Sequence, residues 1–395
     1  MTSPQTIIDN LAPVLAEIAA TAAQREQDRE FRGDLAKQLS AGGFTKLRIP
    51  IEFGGLGFSL PEAFEVLVAV AAADSNIAQG LRPHFLAVES LLIAPDSEHR
   101  TKWLRKIAEE GVVIGNALTE VGNKPGELKT KIRKDGEAFV LSGTKFYSTG
   151  SLYADWIQVH AKDEEDQDVF AFVDRDASGV VLVDDWDGFG QQLSASGTSF
   201  FEKVVVDPLD IVTRDYTAPS AFQALAQSHH LSTLTGISKA ITRDIVTYVQ
   251  NRTRIFSHGS GDLPRFDPQV QQVVGEVKAK SYAVEKIFQG FAQELDLVVD
   301  KAKAGTATEV ELAAVDLSAY QAQLAVAPLV LSQATQVFEV GGASAVSKKL
   351  SLDRHWRNAR VLANHNPIIY RARLLGADAL NGGHVAAQYT IGSLS

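Results

Sequence analysis

The chain of 395 residues contains no cysteine and a single methionine. Disulfides, thiolate nucleophiles and cysteine-ligated zinc or iron–sulfur centres are thereby excluded. Little sulfur is left for a peroxide to oxidise, which suits oxygen chemistry. The chain also has no run of basic residues. With 38 Lys and Arg against 48 Asp and Glu, the net charge is -10, which argues against nucleic acid and anionic membranes as partners. Its longest apolar stretch, Phe64 to Ala73, is interrupted by Glu65 and falls far short of the roughly 20 residues a membrane span needs. Met1 to Asn10 carries no basic residue and no apolar h-region, so the expected location is the cytoplasm. Neither G-x-G-x-x-G nor G-x-x-x-x-G-K-[ST] occurs, which predicts no Rossmann nicotinamide site and no P-loop. Acids are missing from two long stretches. None lies between Thr217 and Arg243, and after Glu339 only Asp353 and Asp378 remain.

What is present sorts into three zones, long enough with 45% hydrophobic content to bury a large core. Residues 1–111 read as a helical domain. Ile7, Leu11, Val14, Leu15 and Ile18 fall on one helical face. Ser59-Leu60-Pro61-Glu62 is a capping box with an early proline that opens an apolar helix through Ala73. It follows the glycine-rich turn Phe53-Gly54-Gly55-Leu56-Gly57, and a later helix starts near Asp96-Ser97 and stops at Gly111. Residues 112–212 change to period two. Asp135-Gly136 joins Lys129–Lys134 to Ala138–Leu141 in a tight hairpin. Strands are predicted at Trp156–Ala161, Val169–Val173, Val180–Val183 and Ser199–Val206, giving a central antiparallel β-barrel. Residues 213–395 return to long helical runs at Ala218–Arg254, Pro268–Ala304 and Thr308–Phe338, with a last helix after Pro367 that ends near Asn381. These predict a C-terminal four-helix bundle, and an α+β fold class for the whole chain.

Several segments carry a resemblance beyond this plan. They are Ile114-Gly115-Asn116-Ala117-Leu118-Thr119-Glu120, Gly143-Thr144-Lys145-Phe146-Tyr147-Ser148-Thr149-Gly150, Asp184-Asp185-Trp186 and Ser196-Gly197-Thr198. To these are added Asp353–Arg360, His365-Asn366-Pro367 and Leu380-Asn381-Gly382. In order and in motif, the chain resembles the acyl-CoA dehydrogenase superfamily, in its reduced-flavin monooxygenase branch of the dibenzothiophene monooxygenase type. It departs from the dehydrogenases proper. Their Pro-x-Ala-Gly-Ser-Asp segment is replaced by Val121-Gly122-Asn123-Lys124-Pro125-Gly126, and both places where they keep a carboxylate base are free of acids. A proton-abstracting Glu in an apolar pocket is what that reaction requires.

The resemblance implies roles for individual residues. Asn116 and Thr119 would touch the isoalloxazine edge, Thr149 would sit near flavin N5 with Ser148 beside it, and Trp186 would lie against the ring system. His84 and His365 would line the cavity around the reactive carbon. Reduced flavin adds oxygen at C4a to give a (hydro)peroxide, which persists only in a dry, hydrogen-bonded pocket. A hydroxyl near N5 can restrain its proton, and a histidine can donate to the distal oxygen or deprotonate the substrate. Plainer readings stand beside these: His365 as a helix cap, His84 and Trp186 as core residues, Thr149 as an ordinary strand residue. His229 and His230 diverge on a helix and predict no metal site. The adenosine-holding segments of the dehydrogenases are eroded to Arg252-Thr253-Arg254-Ile255-Phe256-Ser257 and Glu339-Val340-Gly341-Gly342-Ala343-Ser344. This favours FMN over FAD, with Arg252 and Arg254 available to a terminal phosphate. The expectation is a homotetrameric two-component monooxygenase that takes FMNH2 from a separate NAD(P)H:flavin reductase. With O2 it would oxygenate a small organosulfur, amine or aromatic substrate. The alternatives are a divergent FAD-dependent acyl-CoA dehydrogenase and a catalytically silent flavin-fold binding protein.

Overall fold

Caps written into the sequence fix where the first helices start and stop. The computed structural model describes residues 2–122, 127–213 and 219–383. Residues 123–126 of the Val121–Gly126 segment and residues 214–218, at the start of the third zone, lie outside that set. Helix α1 (Pro4–Asp28) begins at Ser3, whose Oγ accepts from Thr6 N, and is followed by α2 (Gly33–Ala41). Helix α3 (Leu60–Ala73) opens on the predicted capping box, in which Ser59 and Glu62 satisfy each other's backbone N–H. Such a cap stabilises a helix by about 1 kcal/mol. Asp74 ends α3 and caps α4 (Ser75–Ile93) by accepting from Asn76 N, while Arg25 binds its other oxygen at 2.8 Å. Helix α5 (Glu98–Glu110) runs from the Ser97 cap to Gly111, left-handed at φ 68°. Glycine reaches that conformation without the Cβ clash other residues suffer.

The middle zone corrects one expectation. Its strands are β1 (Ile114–Ala117), β2 (Lys131–Asp135), β3 (Ala138–Lys145), β4 (Trp156–Lys162), β5 (Asp168–Asp174), β6 (Val180–Leu182), β7 (Ser199–Val206) and β8 (Ile211–Thr213). They form one eight-stranded sheet in the order β6-β7-β3-β2-β4-β5-β8, with β1 beside β4. The sheet is mixed and open rather than an antiparallel barrel. The β2–β3 hairpin turns at Asp135-Gly136 as predicted, but β1 pairs β4 in parallel from Ile114↔Trp156 to Ala117↔Val159, and β2 touches β4 in parallel as well. The physical reason lies at the entry. Chain leaving α5 at Gly111 enters the sheet directly as β1, so β4 can return to its flank only after the intervening hairpin. The ends, β6 and β8, are short edge strands. One face of the sheet buries Ile132, Leu141, Ile157, Val159, Val169, Ala171, Phe201 and Val204.

The third zone contains α6 (Phe222–Asn251), α7 (Pro268–Lys303), α8 (Glu309–Gln336), α9 (Asp353–Ala363) and α10 (Ile368–Asn381). Helices α6, α7 and α8 pack on one another and, through α6, on α3 and α4, so that helices before and after the sheet share one core. Gly236 makes the α3 contact possible: a Cβ there would lie 2.3 Å from Ala71 Cβ. Helices α1 and α8 are long and apolar enough, by length and composition, to cross a membrane. Their apolar faces are covered within the protein, Ile7, Leu11, Val14 and Ile18 on α1 and Leu312, Val315, Val326 and Val330 on α8.

Candidate functional site

Four of the residues expected at a flavin edge come together on two facing segments. Asn116 N donates to Thr149 O at 3.1 Å, and Phe146 N donates to Thr119 O at 2.8 Å. The strand holding Asn116 and Thr119 is thus laced to the turn holding Ser148 and Thr149. A buried ion pair fastens its end. Lys145 Nζ lies 3.0 Å from Glu120 Oε1, which also accepts from Thr130 Oγ1 at 2.6 Å. Burial alone would raise the Glu120 pKa, but the bonds from Thr130, Lys129 and Lys145 bring it down to about 2. Burial lowers Lys145 to about 8 against the pull of Glu120.

Two buried side-chain atoms on this edge, Asn116 Oδ1 and Ser148 Oγ, have no hydrogen-bond partner. Enclosed polar atoms are almost always paired, so a pair of orphans on one edge fits a hydrogen-bonding ligand laid along it. Three non-glycine residues in the adjoining turns, Tyr147, Gln191 and Ala195, are left-handed at φ 56°, 52° and 53°. Each costs about 1–2 kcal/mol, a strain that gathers at functional sites.

Thr149 ends a chain of hydroxyls. Ser194 Oγ donates to Gln191 O at 2.7 Å, Ser194 and Ser196 are 2.8 Å apart, and Ser196 and Thr149 are 3.0 Å apart. With the Ser194 proton committed to a carbonyl, the chain closes when Ser196 donates to Ser194 and Thr149 donates to Ser196. The Thr149 lone pairs are then open to an N–H donor. The segments Asp184–Trp186 and Ser196–Thr198, separate in sequence, interlock here. Asp185 accepts from Thr198 N at 2.7 Å and from Thr198 Oγ1 at 2.6 Å. Gly197 packs so closely that a Cβ would lie 1.9 Å from Val183 O. Trp186 is half-buried, edge-on to Tyr147 at 6.0 Å, with its Nε1 donating to Gly190 O at 3.2 Å.

A second group of side chains meets between α4, α6 and the turn before α10. The His365 ring lies 4.2 Å from that of His230, and Arg82 approaches its Nε2 at 3.5 Å. His365 keeps open surface while protein crowds its other sides; burial first, then the charge of Arg82, lowers its pKa to about 3. It is a neutral imidazole at physiological pH. Asn366 anchors the turn. With its amide nitrogen donating to His365 O, its Oδ1 accepts from Gln227 at 3.1 Å and from Arg371 at 2.7 Å. Gln323 closes the ring by donating to Gln227 at 2.7 Å and accepting from Arg371. Both ring nitrogens of His229 and of His230 are buried without partners. His229 stacks on Phe85 and meets Phe64 edge-on, whereas His230 faces His365, so the two adjacent rings part company. Among the described residues no three His, Asp or Glu side chains gather as a metal site would require.

The remaining expected residues sit elsewhere. His84 is not open to a ligand: Nε2 donates to Thr45 O at 2.7 Å and Nδ1 accepts from Ile114 N at 3.3 Å. Burial lowers its pKa to about 4, and its work is to pin α4 to the start of β1. Arg252 donates to Val340 O and lies over the Tyr248 ring, while Arg254 is exposed in the loop after α6. The contacts do not join the Thr149 group to the His365 group directly; α4 stands between them, touching Gly150 through Gly80. The Asp353–Arg360 segment is structural. Arg354 and His355 bind Asp244 on α6, Arg357 binds Glu26 at 2.6 Å, and Asn358 accepts from Gln191 N at 2.6 Å while donating to Glu26 at 2.9 Å. Sequence reasoning missed Arg82. The available signal was a charge in the otherwise apolar run Leu81-Arg82-Pro83-His84-Phe85-Leu86.

Comparison with known proteins agrees with this geometry. Family models of acyl-CoA dehydrogenase match in succession: the N-terminal domain over residues 11–111, the middle domain over 116–204 and the C-terminal domain over 229–368. The chain is 29% identical over 391 residues to the probable FMNH2-dependent monooxygenase SfnC of Pseudomonas putida, covering 95% of this chain and 97% of that protein. It is 27% identical to dibenzothiophene monooxygenase of Rhodococcus erythropolis, over 94% of this chain and 92% of the other. The solved structure of methanesulfinate monooxygenase MsuC from Pseudomonas fluorescens superposes with a TM-score of 0.87 at 25% identity, covering 98% of this chain and 99% of that one. With its helices, sheet and bundle in the same order and all three domain models matched, the chain belongs to the acyl-CoA dehydrogenase family.

Proposed function

We propose that this protein is the oxygenase half of a two-component flavin monooxygenase. It takes FMNH2 from a separate NAD(P)H:flavin reductase in the cytoplasm and passes one atom of O2 to a small organosulfur substrate, the other leaving as water. The observation that carries this reading is the pair of partnerless polar atoms, Asn116 Oδ1 and Ser148 Oγ, buried side by side on the edge laced to the Thr149 turn. The names of the relatives, an FMNH2-dependent monooxygenase and monooxygenases of dibenzothiophene and of methanesulfinate, support it. Bound FMNH2 supplies the oxygen activation, at its C4a carbon.

The residues of this chain hold and protect. Asn116, Thr119 and Ser148 hold the flavin edge, and Trp186 closes one side. Thr149 Oγ1, with its own proton directed to Ser196, accepts the N5–H of the reduced ring and keeps that proton in place. His365, neutral and with Nε2 turned to Arg82, offers Nδ1–H as donor toward the oxygen being transferred. Arg252 and Arg254 serve the FMN phosphate, Arg254 from an exposed loop that a neighbouring subunit can reach. The assembly is a homotetramer through the third zone, where Tyr282, Leu297, Ile369 and Leu380 are 64%, 68%, 71% and 84% exposed. Light scattering at micromolar concentration should give four copies; a monomer would end that part of the reading.

The deciding experiment is anaerobic loading with FMNH2 followed by mixing with oxygen. A long-lived oxygenated-flavin absorbance, and product from an organosulfur substrate, are expected. Bleaching of bound FAD by an acyl-CoA would instead support a dehydrogenase.

A further inference from the structure

We infer that the buried, under-partnered guanidinium of Arg82 beside His365 takes the substrate as an organic oxyanion; calling that ligand the substrate rests on the monooxygenase reading above. Arg82 is 6% exposed and has five N–H donors. Among the described residues its side-chain partner is His365 Nε2, at a long 3.5 Å, and its Nε has none.

The other buried arginines of the protein are treated differently. Arg25 is held by Asp74 at 2.8 Å, Arg48 by Glu89 at 2.5 Å, and Arg371 by Asn366 at 2.7 Å together with Gln323. A buried guanidinium whose donors lack acceptors is costly, and proteins supply carboxylate or amide oxygens unless a ligand does. Burial lowers the Arg82 pKa only to about 10, so the charge persists at neutral pH.

The nearby acids on the packed helices are otherwise engaged or neutralised: Glu89 on α4 is held by Arg48 at 2.5 Å, and Asp316 on α8, toward Arg371, has its pKa raised to about 7 by burial. The α6 face that carries His229 and His230 belongs to the acid-free stretch between Thr217 and Arg243. Beyond Glu339 the only acids are Asp353, already bonded to Arg357 at 2.8 Å, and Asp378. Arg371, which also acts on His230 and His365, has the same sign, and His229, His230 and His365 are neutral. The surroundings of Arg82 are therefore electropositive, and its fork matches two oxygens of one carboxylate, sulfinate or sulfonate group. A neutral polycyclic sulfide would leave Arg82 buried and unpaired. The predicted substrate is a short organic acid, bound by its anionic end at Arg82 with the organic group toward the flavin edge.

The phosphate of FMN is the other oxyanion this arginine could serve, and the test separates the two. Full-length protein, wild type and Arg82→Gln, is titrated with methanesulfinate, methanesulfonate, the neutral isostere dimethyl sulfone, FMN and riboflavin. Binding is followed by calorimetry and by melting temperature, with no turnover required. The expected result is that both anions bind wild type, that Arg82→Gln weakens them about tenfold or more, and that dimethyl sulfone binds neither protein. Arg82→Gln without ligand should melt no lower than wild type, because the substitution removes an uncompensated buried charge. Equal binding of the sulfone and the anions would overturn the assignment, as would unchanged anion binding in Arg82→Gln or a clear loss of its ligand-free stability. So would a selective loss of FMN over riboflavin binding, which would give the arginine to the cofactor phosphate. If the anions bind as expected and oxygen mixing yields no oxygenated product, the monooxygenase reading fails while this one stands.

Discussion

The hydroxyls of Thr149 and Ser196 lie 3.0 Å apart; with the Ser194 proton committed to Gln191 O, the chain closes when Thr149 donates to Ser196 rather than to Tyr147 O, which lies farther off at 3.4 Å. Removing Ser196 should then affect N5–H as much as removing Thr149. Both Thr149→Ala and Ser196→Ala should raise hydrogen peroxide release at the expense of product, with a stability change of no more than about 1–2 kcal/mol. The measurement is product and peroxide yield per FMNH2 consumed. Normal coupling in Ser196→Ala beside uncoupling in Thr149→Ala would show that the hydroxyl chain has no role.

His365→Ala should reduce product formation by about 10², the usual scale for a positioned acid or base. Because the imidazole is held neutral down to a pKa of about 3, the wild-type rate should show no histidine limb between pH 5 and 8. A limb near pH 6.5 that disappears in His365→Ala would contradict that assignment.

Acid should destabilise the fold through its buried, neutral histidines, of which His355 is lowered to about 4, chiefly by burial. His84 and His229 are lowered to about 4 and about 3, and His230 well below its usual value, in each case chiefly by burial. The unfolded chain takes up these protons near pH 6.5 while the folded chain refuses them, so stability is full above that pH and is lost as pH falls toward about 4. Each residue contributes about 1.4 kcal/mol per pH unit in that window. Urea midpoints at pH 7.5, 6 and 5 check this, and His229→Phe, set between Phe64 and Phe85, should make the slope shallower. Identical midpoints at pH 7.5 and 5 would rule it out.

Asn358→Leu should cost about 1–3 kcal/mol, since it leaves the buried Gln191 N without its partner and removes one of three donors to Glu26. Trp356→Ala, two residues away and 39% exposed, should cost under about 1 kcal/mol. Urea unfolding of the two variants makes the comparison, and equal losses would count against it.

Caps and period made most elements readable. Ser59 with Glu62, Ser97 with Gly111, and Asp135-Gly136 each act within a few residues, so local sequence contains the whole interaction. The parallel pairing of β1 with β4 was not readable, because it joins residues 42 apart, Ile114 and Trp156, with no turn chemistry to announce it. The site divides the same way. Asn116, Thr119, Ser148 and Thr149 share one edge because that motif is a single strand and its facing turn. Arg82 escaped notice because its meaning lies in what surrounds it: a charge in an apolar helix becomes informative only once its lack of a carboxylate is seen. Asp353–Arg360 shows the opposite case, a conspicuous motif whose polar residues tie α9 to Asp244, Glu26 and Gln191.

The placement of β1 bears on how the protein assembles. A hairpin can zip from its turn, but β1 must wait for β4, and the entropic cost of closing the intervening loop is met before any contact is gained. The strand with Asn116 is then the last of the sheet's interior to dock and the first that a brief opening releases. Its amides should exchange with solvent deuterium sooner than those of the β4–β5 ladder, and bound flavin should slow them most. The ligand would in effect complete the fold at the place where it binds.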